Sequence, residues 1–149
     1  MLEETSTVFL ETETARILSH IEAARDRLGT DPAGAEAELV DAQATLEDLR
    51  DYYLPILHAR ERAYNAYRSL YLGDGARVLD ELAGIEEILG AMAAGAESGA
   101  LQELQALGEA LADARLAVEA GPEEAAPAVE TLARRLNQAA LKGDLILRR

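Results

Sequence analysis

The side chains with most chemistry to offer gather in one stretch. Residues 51–71, DYYLPILHARERAYNAYRSLY, hold all five tyrosines (Tyr52, Tyr53, Tyr64, Tyr67 and Tyr71), with His58 and three arginines, Arg60, Arg62 and Arg68. A guanidinium among phenol hydroxyls is a donor set for a small anion, and tyrosine with arginine is equally the composition of a protein interface. Acid–base and nucleophilic chemistry has less to work with. The chain has no cysteine, which removes disulfides, thiolate catalysis and cysteine–zinc sites together. No Glu-x-x-His or His-Glu-x-x-His pair, phosphate-binding glycine loop or nucleophile elbow occurs. Of the two histidines, His20 borders the apolar stripe of the first helix with Glu13 seven residues earlier, a conceivable metal pair but more simply a boundary residue. His58 falls on a wet helix face. Neither a metal nor a cofactor is expected, and the chain reads as non-catalytic.

The elements that must position these residues are helical. Alanine and leucine dominate an apolar fraction of 49%, aromatics make up 4%, and β-branched residues are sparse, so local propensity favours helix almost throughout. The first segment places Leu10, Thr14, Ile17, Ile21, Ala24 and Leu28 on one face and stops at Gly29. Asp31-Pro32 then reads as an N-cap followed by proline at the first helical position. From there Ala35, Leu39, Ala42, Leu46, Leu49, Tyr53, Ile56, Arg60, Ala63, Tyr67 and Leu70 alternate steps of four and three straight through Pro55. Two helices joined by a loop would have no reason to keep register. The expectation is therefore one long helix over 32–72, kinked near Pro55, with a break at Leu54 as the alternative.

Gly73 reads as a left-handed cap and Asp74 as the next N-cap. Stripes follow at Val78, Leu82, Ile85, Leu89 and Met92, and then at Leu104, Leu107, Leu111, Ala114 and Val118. The last helix carries Val129, Leu132, Leu136 and Ala139; it is expected to begin near Glu124, with Pro127 in its first turn, and to end at Gly143 before an extended DLILRR tail. Together these spell an all-α, antiparallel bundle of five or six helices in a single domain over 1–149, with the long, proline-kinked helix at its centre. Segments at 35–46, 78–89 and 125–136 share spaced small and leucine positions, which reflects helical hairpins rather than a repeat.

On the wheel of the long helix, Ile56, Ala59, Ala63, Ala66 and Leu70 make one strip. Tyr53, Leu57, Arg60, Tyr64, Tyr67 and Tyr71 make a second about 100° round, and His58, Glu61, Arg62, Asn65, Arg68 and Ser69 face water. The apolar arc is wider than a two-helix seam requires. Arg60 lies inside it, and its charge needs a partner. Three readings stand: an arginine stacked on Tyr64 or paired with a carboxylate of a neighbouring helix, a subunit interface, or an anionic-ligand site with Tyr53, Tyr64, Tyr67 and Tyr71.

Net charge narrows the partners. With 28 acidic against 14 basic residues, the chain carries −14, which repels nucleic acid and anionic membrane surfaces. The glutamate-rich start lacks a basic n-region and no apolar run approaches membrane-spanning length, so a cytoplasmic protein is expected. Its partner is expected to be itself, as a homodimer through the tyrosine-rich face, or another protein.

YYLPI followed by AYRSLYLGDGARVLDEL resembles the helical repeats of bacterial YfdX-like proteins, with Leu54-Pro55 between two hairpins and Gly73-Asp74 at a turn, over about residues 16–92. The resemblance implies a stress-associated, non-enzymatic helical protein and supplies no catalytic residue; a chaperone-like role is a separate alternative that fits the acidic surface.

Overall fold

Local signals build the helices where the sequence puts them. In the computed structural model, which describes residues 2–96 and 98–147, six α-helices follow one another: α1 (Leu2–Arg27), α2 (Pro32–Asp48), α3 (Leu54–Tyr71), α4 (Gly75–Gly95), α5 (Ser98–Ala120) and α6 (Pro122–Leu147). A π-helical turn at Leu49–Tyr53 links α2 to α3, and no strand occurs among the described residues. Asp31 caps α2 by accepting from the Gly34 N–H at 3.1 Å, and Asp74 caps α4 by accepting from the Arg77 N–H at 3.1 Å. Gly73, at φ 71°, adopts the left-handed conformation that ends α3.

The chain separates into two compact units. The first comprises residues 1–50 and 147–149, and the second residues 51–146. In the first unit α1 and α2 pack on each other across a turn at residues 28–31. Its buried side chains differ in part from the expected stripes: Phe9, Glu13, Ile17 and Ala24 on α1, Ala35 and Ala42 on α2, and Leu49 at the start of the π-helical turn. Ile21, Leu28, Leu39 and Leu46 are exposed instead. Ile17, Ala24, Ala35, Ala42 and Leu49 are thus buried as expected, and the alternate positions differ: beside His20 and Arg27, Glu38 takes the inward position that a purely apolar pattern assigns to Leu39.

In the second unit the core is built as the periodicity foretold. Ile56, Ala59, Ala63 and Ala66 of α3 join Val78, Leu82, Ile85, Leu89 and Met92 of α4, Leu104, Leu107, Leu111 and Ala114 of α5, and Val129, Leu132, Leu136 and Ala139 of α6. Truncating a large member such as Leu132, fully buried, would remove about 2–5 kcal/mol. Ser69, placed on the wet face by the wheel, is buried. The α6 boundaries also differ from expectation. Pro122 opens the helix with its fixed φ, so Pro127 lies beyond the first turn, and Gly143 does not end it. Arg148 and Arg149 of the expected extended tail lie outside the described residues.

Pro55 is neither at a clean break nor inside a regular α-helix. Leu54 is helical, and the five-residue π-helical turn directly before it widens the backbone where proline would otherwise clash with the preceding carbonyl. A relaxed proline has little strain to release. Pro55→Ala should therefore shift unfolding free energy in urea by less than about 1 kcal/mol, whereas a gain near 3 kcal/mol would show a strained helix interior.

Candidate functional site

The five tyrosine–arginine candidates do not form one cluster. Tyr53 is fully buried, whereas Tyr64 is 46% and Tyr71 75% exposed. Arg60 is half-buried and donates from Nη1 to Asn137 Oδ1 of α6 at 3.3 Å. Its partner is a neutral amide, not the carboxylate that a buried charge leads one to expect. Tyr67 and Tyr71 do meet: their hydroxyls are 3.1 Å apart and their rings pack edge-on, 5.2 Å between centroids at 75°. The hydrogen bond with Tyr71 raises the Tyr67 phenol above its ordinary pKa, with desolvation and the charges of Tyr71 and Glu130 adding to it. Leu72, 76% exposed, continues this surface past the end of α3.

The α3 face is thus split by burial into two parts. The alanine strip permits close helix approach, so the larger tyrosines further round are left at the margin. Tyr53 is the exception and joins the buried set.

Sequence reasoning passed over three residues. Arg62, assigned to water, donates from Nη1 to Glu81 Oε2 on α4 at 3.1 Å, and Glu81 is buried. The guanidinium lies across Gly84: a Cβ there would come within 2.5 Å of Cζ and 2.8 Å of Nε. A glycine in the middle of the α4 pattern was the signal, since such a glycine often marks a close approach. Beside this pair runs an open groove of about 510 Å³ lined by His58, Glu61, Arg62, Asn65, Glu81 and Ile88. It holds charged groups of both signs and the exposed His58. The third missed residue, Tyr52, is half-buried with its hydroxyl 3.5 Å from Glu103 Oε2 on α5. Burial first, then the Glu103 charge and hydrogen bond, push its pKa up to about 12.

In the first unit His20 is not joined to Glu13. Its Nδ1 lies 2.5 Å from Glu38 Oε2, and Arg27 Nη1 lies 3.3 Å from Glu38 Oε1. The hydrogen bond from His20 is the chief reason that the Glu38 carboxyl titrates below its usual range, with Arg27 helping and desolvation opposing. Glu13 is buried beside Arg16, at 3.7 Å. Among the described residues no three His, Cys, Asp or Glu side chains gather as metal ligands, and no helix is long and apolar enough to cross a membrane. No family model, curated protein or solved structure matches the chain.

Two outcomes follow from this geometry. Replacing Gly84 by Ala should drive the Arg62 guanidinium off Glu81, so Arg62→Ala should cost less in the Gly84→Ala background, by about 0.5–1 kcal/mol in a double-mutant cycle. Additive effects would refute that close approach. A tyrosine that is hard to ionise stabilises the fold fully below pH 10, and the contribution is lost as pH rises through about 12. Phenolate absorbance should therefore show a late titration component near pH 12 that Tyr52→Phe reduces by one tyrosine's amplitude; an unchanged titration curve would contradict the assignment.

Proposed function

We propose that this is a non-catalytic helical interaction protein that self-associates through the C-terminal half of α3. The observation that carries the reading is the exposure of Tyr64, Tyr71 and Leu72 beside the paired Tyr67. A large aromatic side chain left in water at the edge of an otherwise packed helix is a common anchor of protein interfaces, and Arg60 and Arg68 on either side match the composition of their hot spots. The finer architecture proposed with it is an antiparallel bundle on a long helix bent near Pro55. A cytoplasmic setting belongs to the same reading, as does a protein partner rather than nucleic acid or membrane, and the −14 charge supports the choice of partner. The YfdX-like resemblance, with its stress-associated role, is compatible with such a surface, and so is a chaperone-like role.

A second reading rests on Arg60. Its half-buried guanidinium is met by the Asn137 amide rather than a carboxylate, which leaves it a charge to offer a small anionic ligand.

Sedimentation equilibrium at micromolar concentrations separates the two. Tyr71→Ala or Tyr67→Ala should weaken self-association roughly tenfold or more. A wild-type chain that is monomeric throughout, or whose association these changes leave untouched, sinks the first reading. A monomer stabilised in thermal shift by small carboxylate anions, with the effect lost in Arg60→Ala, establishes the second.

A further inference from the structure

The first unit presents a second surface of a different kind. Its two-helix interior is thin, with Ala24, Ala35 and Ala42 among the buried side chains, while Leu18, Ile21, Leu28, Leu39 and Leu46 stand 44–62% exposed. On α1, Leu18, Ile21, Arg25 and Leu28 follow at steps of three and four along one flank of the buried row. On α2, Glu36, Leu39 and Leu46 take the corresponding flank. The short turn makes the helices run in opposite directions, and in such a pair corresponding flanks fall on the same side. His20 opposite Glu38 sets the register, which places Ile21 about half a turn from the level of Leu39 and Arg25 within a turn of the level of Glu36.

We infer that this face is an isologous interface, closed by a second copy of the chain to make a four-helix bundle. A twofold axis parallel to the helices lays α1 of one protomer on α2 of the other. Ile21, Leu28, Leu39 and Leu46 then fill the shared interior, as in bundle packing. The same operation sets Arg25 beside the partner's Glu36, and Glu36 beside the partner's Arg25. Both residues are exposed, and Arg25 is held only loosely by its neighbour Asp26 at 3.6 Å. A chain of charge −14 opposes docking on itself, and these two opposed pairs on the flanks are what make a second copy fit. The inference stands apart from the tyrosine strip of α3. Two twofold surfaces on one chain would build species larger than a dimer.

The test uses the full chain carrying Tyr71→Ala, which weakens the α3 contact. Sedimentation should still find a dimer, and Leu39→Glu should abolish it. Arg25→Glu or Glu36→Arg alone should each weaken it roughly three- to tenfold. An equimolar mixture of those two variants should recover the original strength, because the heterodimer has opposite charges at both contacts. Loss of a contact within one chain cannot be repaired by mixing. A monomeric Tyr71→Ala chain overturns the hairpin interface and leaves the α3 reading standing. A mixture no stronger than its components also overturns it. If instead Tyr71→Ala associates as strongly as wild type while the hairpin variants dissociate it, the α3 reading fails and this one holds.

Discussion

Close approach of helices, permitted by small side chains, is the constraint from which most else in the second unit follows. Ala59, Ala63 and Ala66 are fully buried along α3 and present nothing bulky to hold a neighbour away. Helices meeting over alanines and glycines reach the short end of the usual interaxial range. Larger residues on the same helix are then displaced to the margins of the contact. Arg62 is turned to cross Gly84 and reach Glu81, and Tyr64 and Tyr71 remain in water. The features that look functional are, in this sense, by-products of where the alanines sit.

Charge is organised by the same scarcity. With half as many basic as acidic residues, three arginines join one helix to another through carboxylates: Arg27 to Glu38, Arg62 to Glu81 and Arg115 to Glu86. Exposed pairs of this sort add little each. The Arg62–Glu81 pair matters more, because Glu81 is buried and would otherwise leave a carboxylate without compensation. Arginine suits the task through its planar, multi-donor head, which can lie flat across a glycine and still reach an oxygen.

The two units use their apolar residues differently. The second gathers large aliphatic side chains of α4, α5 and α6 around the alanine strip, although Leu79, Leu101, Leu116 and Leu141 stay outside. The first keeps alanines among its buried residues and turns several leucines out. A pair of helices encloses too little volume to bury leucine on more than one narrow seam. Polar groups also hold part of that seam, through the His20–Glu38–Arg27 contacts. A surplus of apolar surface on a two-helix unit is the physical basis for assigning it a partner.

What the sequence by itself determined was local. Asp31-Pro32, Gly73 and Asp74 set helix ends, because capping and left-handed turns depend on a few adjacent residues. The stripes of α4, α5 and α6 were legible from period alone, because each of those helices is covered on a broad face. Only the tertiary structure decided which flank of a wide apolar arc is covered. It put Leu39 and Leu46 outside and Glu38 inward, buried Ser69 and Tyr53, and left Tyr71 exposed. It also chose Asn137 as the partner of Arg60, 77 residues away, and Glu81 as that of Arg62. Periodicity fixes the angle between side chains on one helix, but not which neighbouring helix occupies that angle. The five candidates Tyr53, Arg60, Tyr64, Tyr67 and Tyr71 shared a strip on paper, and the packing of other helices divided it.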